Sequence, residues 1–429
     1  MNERVLKIGL LGCGNVGASV VRLLADHGDD IAARAGCRLE VAKVAVRDTS
    51  RDRGIGLDPS LITDDASAVI SDPEVDIVCE VMGGVEPTKR LILEALERGK
   101  PVVTANKELL ANEGRELFDA ADAKGVDLYF EAAVAGGIPI IRAMKESLAG
   151  ERLTRVTGIV NGTTNYILSK MEEQGWSFDD ALSKAQELGY AEADPTADVE
   201  GFDAAAKCAI LASIAFNARV AAPDVYREGI TDVSADDIAF AQRLGYAVKL
   251  LAIAELEGNR IAVRVHPAMI PTTHPLASVR DAFNAVFVEG PKVGEMMFYG
   301  RGAGGDPTAA AVVGDLVSAA RNLETGARGI GCTCFLERGI RPMSEMFGQY
   351  YLRLDVTDQP GVLAHVARVF GDNGVSIKSV VQEGTGEGAQ LILVSHAAQE
   401  GDLQQTVKQL RELPVVAAVQ SVLRVEGDE

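Results

Sequence analysis

The stretch VLKIGLLGCGNVGASVVRLLADHG, residues 5–28, decides the fold of this chain. Its first eight residues form a largely apolar run, which indicates a strand buried on both faces of a parallel sheet. From residue 15 onward the apolar residues recur at helical spacing, which indicates an amphipathic helix. Gly12, Gly14 and Gly17 lie between the two as G-x-G-x-x-G. A strand before this motif and a helix after it are the context that a dinucleotide-binding fingerprint requires.

Each glycine of the motif has a separate physical role. Gly12 lets the chain turn tightly, Gly14 lets a pyrophosphate approach the backbone, and Gly17 lets the helix pack closely on the strand. The helix opens with Asn15 and Val16, so its N-terminal amides would face the anion. We therefore predict that these five residues bind the cofactor.

The choice of cofactor depends on the end of the second predicted strand, VAVRDTSRDR, residues 44–53. An acid at this position would hold the ribose hydroxyls of NAD, whereas an arginine would pair with the 2′-phosphate of NADP. Arg47 comes first, Asp48 follows, and Arg51 and Arg53 are nearby. The order favours NADP with Arg47 as a ligand and leaves NAD open. Taken individually, Arg51 and Arg53 each fit an exposed turn better than a cofactor contact.

The pattern of strands and helices divides the chain into domains. Residues 1–136 alternate apolar strands with amphipathic helices, which predicts an α/β, Rossmann-type NAD(P)-binding domain with a doubly wound parallel sheet. Residues 137–324 predict an α+β substrate and dimerisation domain, whose last helix, 306–324, should pack back on the first domain. Residues 325–347 have the composition of a linker. Residues 348–429 read βαββαβ, which is the ferredoxin-like order.

Composition excludes several classes of partner. The chain has 62 acidic and 42 basic residues and a net charge of −20, which argues against nucleic acid or an anionic membrane as a partner. No stretch approaches the roughly 20 apolar residues that span a bilayer, and no signal-peptide pattern precedes the first strand. Six scattered cysteines predict reduced thiols and the cytoplasm. Cys332 and Cys334 stand two apart, as strand neighbours on one face; a redox pair or a metal site there lacks a second Cys/His pair.

Two lysines and a group of acids carry the candidate chemistry. Lys107 follows Thr104 at the carboxyl end of a buried strand, where open α/β sheets bind ligands. The stretch GYAEADPTADVEGFDAAAK, residues 189–207, holds five carboxylates and ends with Lys207. Asp203 and Lys207 are four apart at the start of a predicted helix, so they share a face. The acids could hold a substrate ammonium group while a lysine transfers a hydroxyl proton; a surface ion pair is the simpler alternative, and a calcium-type cage lacks the loop spacing.

These residues resemble homoserine dehydrogenase across residues 1–345. The resemblance is carried, in the family's order, by GLLGCGNVG, TANKELLA, FEAAVAGGIPII, GIVNGTTNYIL, ELGYAEADPTADVEGFDAAAK, HPLASVRDAFNAV and YGRGAGGDPTA. Residues 348–429 resemble an ACT regulatory domain, with DVTDQPGVLAHVARVF as its strand–turn–helix signature. The resemblance implies NAD(P)-dependent interconversion of L-homoserine and L-aspartate 4-semialdehyde in threonine and methionine biosynthesis.

The resemblance also implies a role for each matching residue. Lys207 would be the catalytic proton donor or acceptor, and Lys107 a second lysine at substrate and cofactor. The substrate pocket would contain Glu192, which holds the ammonium group, together with Asp198, Asp203, Tyr190, Gly162 and Thr163. The cofactor would contact Thr104, Gly189 and Gly304, or the neighbouring Gly302, in addition to the glycine motif and Arg47. A structural monovalent cation, sodium-like, would bind Glu131 and the backbone carbonyls of Val134, Gly136 and Ile138.

Some residues near these motifs have simpler explanations. Asp194 precedes a proline and suits a turn, and Glu200 suits a solvated loop. Thr163 or Thr164 could cap the helix that follows an Asn-Gly turn. His274 is expected to be a hydrogen-bonded structural histidine.

Three other functions fit the sequence less well. An ACT-bearing dehydrogenase of another hydroxy acid, such as phosphoglycerate, would usually carry its fingerprint mid-chain and use a histidine as acid/base. Aspartate-semialdehyde dehydrogenase needs a cysteine nucleophile, but Cys79 and Cys208 lie in apolar segments. A non-catalytic dinucleotide or amino-acid sensor would have no reason to combine Lys107, Glu192 and Lys207.

The ACT domain suggests feedback by an amino-acid effector, with threonine the natural end product. Domains of this type commonly bind effectors between copies, so a homodimer or homotetramer is expected. An ACT domain that only assembles the oligomer is the alternative.

Overall fold

The computed structural model describes residues 4–427, the side chain of Glu387 excepted. The chain divides into two compact units. Unit 1 contains residues 4–156, 206–224 and 284–338, and unit 2 contains residues 157–205, 225–283 and 339–427.

Strands and helices are numbered in chain order. The strands are β1 Val5–Leu11, β2 Arg38–Ala45, β3 Ile62–Thr63, β4 Ile77–Glu80, β5 Val102–Thr104, β6 Leu128–Tyr129, β7 Arg155–Ile159, β8 Tyr226–Arg227, β9 Tyr246–Glu257, β10 Arg260–Pro271, β11 Phe283–Gly290, β12 Gly294–Arg301, β13 Gly339–Ile340, β14 Phe347–Val356, β15 Ile377–Glu383, β16 Gln390–Ser395, β17 Ala398–Gln399 and β18 Val416–Val425. The α-helices are α1 Asn15–Asp26, α2 Gly28–Ala35, α3 Ala66–Ser71, α4 Thr88–Glu97, α5 Lys107–Lys124, α6 Ile140–Arg142, α7 Gly162–Gln174, α8 Phe178–Glu187, α9 Thr196–Val199, α10 Phe202–Ala215, α11 Ala235–Arg243, α12 Gly305–Thr325, α13 Val362–Asp372 and α14 Glu400–Arg411.

Unit 1 is built around a six-stranded sheet in the order β3-β2-β1-β4-β5-β6. Every neighbouring pair in this sheet is parallel. The direction of winding changes between β1 and β4, and sheets of this type bind ligands outside the carboxyl ends of the strands at such a point. The predicted doubly wound parallel sheet is confirmed.

Helix α12 packs against the first helix of this sheet. Its Ala309, Val312 and Leu316 share a buried core with Val20 and Val21 of α1. Burying an aliphatic side chain of this size stabilises a fold by about 1.5–3 kcal/mol. The contact places the N-terminus of α12 beside the glycine turn that precedes α1.

The sheet of unit 2 runs β9-β10-β18-β14-β16-β15. Its last four strands have the order of a ferredoxin-like βαββαβ domain, because the fourth strand lies next to the first and the third next to the second. Helices α13 and α14 cover this part through a core that includes Val366, Phe370 and Leu403. Strand β18 also pairs with β10, in parallel, through Ala268 and Met269. The predicted ACT fold is confirmed, and its sheet continues into that of the preceding domain.

Two segments differ from the sequence-based expectation. The strand predicted from the run VDLYFEAAVAG, residues 126–136, is shortened to β6, which is followed by a 3-10 turn at Glu131–Ala133. The predicted linker, 325–347, contains β13, which pairs with β10. Within the part of the chain that the structure describes, no helix has the length and apolar character needed to cross a bilayer.

Candidate active site

The glycine motif forms the turn between β1 and α1. Gly12 has a φ of +95°, and a Cβ at this position would lie 2.8 Å from the Met82 nitrogen. A Cβ on Gly17 would lie 2.4 Å from the Gly12 carbonyl oxygen, so only glycine allows this packing. In the described chain no atom lies within 4 Å of the Cβ position of Gly14. The backbone at the start of α1, Asn15, is therefore open to an anionic ligand.

A cavity of about 720 Å³ opens beside this turn, and Arg47, Asp48, Arg51 and Arg53 line it. Arg53 donates hydrogen bonds to the carbonyl oxygens of Cys13 at 3.1 Å, Arg51 at 2.7 Å and Asp48 at 2.7 Å. It thereby holds the segment after β2 against the glycine turn. Arg47 is exposed at the end of β2. Arg51 and Arg53, which could have belonged to an ordinary exposed turn, are therefore part of the cavity wall.

A second cavity, of about 420 Å³, joins the glycine turn to α12. Gly14 and Asn15 line one side, and Gly305 and Asp306 line the other. Gly304 precedes α12 with a φ of +118°, a conformation that favours glycine. The predicted contact at Gly304 therefore lies in the same unit as the glycine motif, next to the helix that lines this second cavity.

Thr104 and Lys107 lie at the carboxyl end of β5. The Thr104 hydroxyl donates a 2.5 Å hydrogen bond to Glu80, whose pKa is raised by burial. Asn106 caps α5 by accepting a hydrogen bond from the Leu109 amide. Lys107, half-buried, is the first residue of that helix. Glu80 was missed by sequence reasoning because a single acid inside an apolar strand gives no pattern.

In unit 2, Asn161 joins two of the predicted substrate-binding acids. Its side-chain nitrogen donates to Asp198 at 2.6 Å and to Asp203 at 2.9 Å. Its side-chain oxygen accepts from the Thr164 amide at 2.9 Å and caps α7. The simpler alternative for Thr163 or Thr164, a role as the cap of this helix, is therefore not supported, because Asn161 is the cap. Sequence reasoning read Asn161 only as part of a turn, although asparagine is among the preferred N-caps and could have been recognised as one.

Gly162 and Thr163 open α7 next to Tyr190. A Cβ on Gly162 would lie 2.8 Å from the Ala282 carbonyl oxygen, so a larger residue would displace the helix start. The Thr163 hydroxyl donates to the Tyr190 carbonyl at 2.6 Å. The Tyr190 ring lies 5.0 Å from that of Tyr166 and keeps 45% of its surface exposed. The structure thus brings three predicted pocket residues together.

Gly189 and Glu192 lie on an exposed stretch after α8. Gly189 has a φ of +75°. Gln186 donates to the Glu192 carbonyl oxygen at 3.0 Å, so the backbone is held while the Glu192 side chain stays exposed.

Lys207 lies in α10, one turn after Asp203. Each of these two side chains is only 8% exposed. Taking a charged group out of water costs several kcal/mol unless partners compensate it. The residues after Lys207, from Cys208 to Ala212, are buried and apolar, as the sequence predicted.

Other residues have the structural roles that were expected. His274 accepts a hydrogen bond from the Leu276 amide at 3.1 Å. Asp194 accepts one from the Thr196 amide at 3.1 Å, as a turn residue does. Cys79 and Cys208 are buried.

The predicted cation loop turns sharply after β6. Ala135 and Gly136 have φ values of +56° and +53°. A Cβ on Gly136 would lie 2.5 Å from the Gly302 carbonyl oxygen, so the loop lies against residues just before α12. Val134 and Ile138 are buried on either side of the turn.

Glu131 belongs to a buried pair of acids. Its carboxylate accepts hydrogen bonds from the amides of Ile141 and Arg142, both at 2.8 Å. Its own amide donates to Asp315 at 2.7 Å, and the Arg142 guanidinium donates to the other Asp315 oxygen at 2.8 Å. Burial raises the pKa of both acids, that of Asp315 to about 7. Asp315 was missed because it lies far along the chain, in α12.

The doubly wound sheet carries an open glycine turn, and Lys107 lies at the carboxyl end of its strand β5. A separate set of acids lies around the buried helix α10. These features together are typical of a dinucleotide-dependent oxidoreductase. Comparison with known proteins narrows this class. Residues 12–131 match the family model for the NAD-binding domain of homoserine dehydrogenase, residues 139–317 match that for homoserine dehydrogenase, and residues 350–415 match that for the ACT domain.

Two of the similar proteins cover nearly the whole chain. The homoserine dehydrogenase of Corynebacterium glutamicum is 52% identical over 426 residues, which are 98% of this chain and 96% of that protein. The crystal structure of a homoserine dehydrogenase from Thiobacillus denitrificans has a TM-score of 0.94 at 42% identity and covers 99% of both chains. A hyperthermophilic archaeal homoserine dehydrogenase in complex with NADPH has a TM-score of 0.64 at 28% identity and covers 76% of this chain.

This chain belongs to the homoserine dehydrogenase family and carries a C-terminal ACT domain. It is an oxidoreductase that acts on a CH–OH group with a nicotinamide dinucleotide. The expected family is confirmed, and the rival dehydrogenases and the non-catalytic sensor are not supported.

Proposed function

We propose that this chain interconverts L-homoserine and L-aspartate 4-semialdehyde with NADP and that Lys207 transfers the proton. The burial of Lys207 one turn after Asp203 carries this proposal. Lys207 is buried near the start of a largely apolar helix, one turn after a predicted substrate-binding acid. This position in the motif GFDAAAK supports its role as the proton-transferring lysine of the family.

The proton and the hydride leave the substrate by separate routes. The bound nicotinamide would supply or accept the hydride at the carbinol carbon. In the oxidative direction Lys207, as a neutral amine, accepts the hydroxyl proton while the C–O bond becomes C=O. In the reductive direction Lys207 returns this proton to the oxygen. Lys107, at the carboxyl end of β5, is the second lysine and contacts substrate and cofactor.

The amino acid would be held by the residues around α7, α9 and α10. Glu192 takes the ammonium group, and its exposed side chain supports this role. Asp198 and Asp203 orient the substrate, with Asn161 fixing both carboxylates. Gly162, Thr163 and Tyr190 complete the pocket.

NADP is proposed over NAD because three arginines of the segment that follows β2, Arg47, Arg51 and Arg53, line the cavity beside the glycine turn. Arg53 is occupied by backbone carbonyls, which leaves Arg47 and Arg51 as partners for a 2′-phosphate. Asp48, the acid that would favour NAD, accepts hydrogen bonds from Ser50. Gly12, Gly14, Asn15, Val16 and Gly17 hold the pyrophosphate, with Thr104, Gly189 and Gly304 at the remaining contacts.

A structural sodium ion is proposed at Glu131 with the carbonyls of Val134, Gly136 and Ile138. The residues present fit a hard, singly charged cation in two respects. The two carboxylates of Glu131 and Asp315 can carry two negative charges, and Arg142 supplies a single positive charge against them. Asn284, fully buried beside Gly302, has neither side-chain atom hydrogen-bonded within the described residues. Oxygen donors of these kinds suit sodium rather than a soft metal.

The proposal extends to the domain division, the regulation, the oligomeric state and the location of the protein. The boundaries 1–136, 137–324, 325–347 and 348–429 remain the proposed domain division. Threonine is the proposed effector of the ACT domain, where Gly361, with a φ of +92°, opens α13 and exposes helix N-terminal amides. A homodimer or homotetramer is proposed. The free state of all six cysteines supports a cytoplasmic location.

The deciding experiment measures nicotinamide absorbance after the protein is mixed with L-homoserine and either NADP or NAD. Homoserine-dependent reduction that is faster with NADP is expected. Lys207→Ala should lower kcat by about 10²–10⁴ and leave dinucleotide affinity unchanged. Lys124→Ala, an exposed lysine at the end of α5, is the matched control and should be neutral. Loss of dinucleotide binding in Lys207→Ala would assign this lysine to folding instead.

A further inference from the structure

Cys332 and Cys334 lie in a groove of unit 1 that the proposed reaction does not use. A cavity of about 340 Å³ opens between this segment, α5 and α10. The Cys334 amide donates to the Cys332 sulfur at 3.4 Å, and the Cys334 thiol lies 3.6 Å from the Ser213 carbonyl oxygen. The strand geometry expected for the pair is wrong, since residues 327–335 form no strand. The two side chains are nevertheless adjacent and partly exposed.

The surroundings of the two sulfurs make them chemically different. The thiol and amide of Cys334 donate to Cys332, and the Lys145 ammonium adds to this, so the pKa of Cys332 is lowered. The same arrangement raises the pKa of Cys334. Lys145 is held in place by the Ile330 carbonyl at 2.8 Å and by the Phe130 ring at 5.5 Å. Thiolates, not thiols, are the reactive form of cysteine.

The other cysteines provide the contrast. Cys13, Cys37, Cys79 and Cys208 are all buried. Burial raises the pKa of Cys13 and Cys79. Cys332 thus combines a lowered pKa with a place at the wall of this cavity.

The segment that carries the two thiols also holds the end of α10, the helix of Lys207. Two hydrogen bonds reach it, from the Leu336 amide to the Asn217 carbonyl and from the Arg338 side chain to the Phe216 carbonyl, and the Cys334 sulfur lies 3.6 Å from the Ser213 carbonyl oxygen. A change of geometry at the thiols would therefore act directly on the carboxyl-terminal end of that helix.

We propose that Cys332 and Cys334 form a hydroperoxide-sensitive dithiol site that lowers turnover when oxidised. The Cys332 thiolate attacks a hydroperoxide oxygen, which breaks the O–O bond and gives a sulfenic acid and hydroxide or alkoxide. The Cys334 sulfur then attacks the sulfenic sulfur, forming the S–S bond and releasing water. Two electrons pass from the thiols to the peroxide. The oxidation is independent of the proposed function, whereas its effect on turnover rests on the role proposed for Lys207.

The chemical arm uses the reduced full-length protein and one equivalent of hydrogen peroxide. Trypsin releases both thiols in one peptide, GIGCTCFLER, residues 329–338, which contains no other cysteine. Loss of two hydrogen atoms from this peptide is expected before any change at Cys37. Cys334→Ser should stop at the sulfenic acid, which dimedone traps on Cys332, and Cys332→Ser should give neither product. Complete alkylation of both thiols after peroxide treatment would overturn the proposal.

The activity arm separates the two parts of the inference. Oxidised protein should lose most of its homoserine-dependent turnover and regain it with dithiothreitol. Cys334→Ser, checked for an unchanged melting temperature, should be inactivated less because no ring closes on α10. Lys145→Met should slow the reaction of Cys332 with iodoacetamide. If the reduced protein oxidises homoserine normally and the disulfide forms without loss of turnover, the coupling to α10 is overturned while the proposed reaction stands.

Discussion

Units 1 and 2 both bury charged side chains, but they compensate these charges differently. In unit 2, Arg424 binds Glu400 at 2.7 and 3.0 Å and Glu228 at 2.7 and 2.9 Å. In unit 1, Glu131 and Asp315 are held by backbone amides and by Arg142, which is partly exposed.

The difference appears in the pKa of each acid. Burial opposes ionisation of Glu228 and Glu400, yet the hydrogen bonds and charge of Arg424 hold the pKa of both below the usual range. For Asp315 and Glu131 burial prevails and the pKa is raised. Each cluster sets two carboxylates against one arginine, but Arg424 is buried and binds both of its acids, whereas Arg142 is partly exposed and its guanidinium binds Asp315. The less fully compensated acids of unit 1 are therefore better suited to an external cation.

Removing the guanidinium of Arg424 in unit 2 should have the largest effect on the free energy of unfolding. Arg424→Met leaves Glu228 and Glu400 without their cation, and breaking a buried pair of this kind costs about 3–5 kcal/mol of unfolding free energy. Urea titration followed by circular dichroism measures it. A loss below about 1 kcal/mol would show that this cluster is no better compensated than a surface pair.

Asp315→Asn tests the opposite case in unit 1. The folded pKa of Asp315, about 7 against an ordinary 3.8, means that the folded state binds more protons than the unfolded state between those values. Stability should therefore fall as pH rises from about 4 to 7, by at most about 1.4 kcal/mol per pH unit. The substitution should flatten this slope, and sodium should flatten it in the unsubstituted protein. Urea titrations at pH 5, 6 and 7, in sodium or choline chloride, measure both effects; equal slopes would contradict the prediction.

His266 of unit 2 should give a pH dependence of the opposite sign. Burial, assisted by the charge of Arg424, lowers its pKa from 6.5 to about 4. The unfolded state then binds the extra proton, so stability should fall as pH drops from 6.5 to about 4, again by at most about 1.4 kcal/mol per pH unit. His266→Gln should remove this slope whatever its effect at pH 7. Urea titrations of both proteins at pH 4.5, 5.5 and 6.5 measure this slope. A slope that persists in the His266→Gln protein would mean that another group titrates.

A surface pair should give the smallest effect. Arg243 pairs with Glu383 at an exposed position between α11 and β15. Arg243→Met should cost no more than about 1 kcal/mol, with a difference that shrinks as salt is added. A larger cost, measured by urea titration at low and high salt, would place this pair with the buried clusters.

The comparison also explains what the sequence could and could not predict. The glycine turn, Lys107 at the end of β5 and the ferredoxin-like order follow from local patterns, and each was predicted. Glu80, Asn161 and Asp315 were missed because their roles depend on partners that folding brings from distant positions. The predicted strand that contains β6 was too long because the Glu131 carboxylate binds backbone amides at the start of α6, a contact that its neighbours in sequence do not reveal.

The pairing of β18 with β10 has a consequence for engineering. The register joins Ala268 to Arg424 and Met269 to Val425, and Arg264 binds Glu426 at 2.9 Å. A chain shortened before β14 would leave part of β10 as an open edge, a known template for aggregation, beside an arginine that has lost a partner. The ACT domain is thus not a detachable accessory. The proposed feedback is better tested with point substitutions within this domain than by truncation.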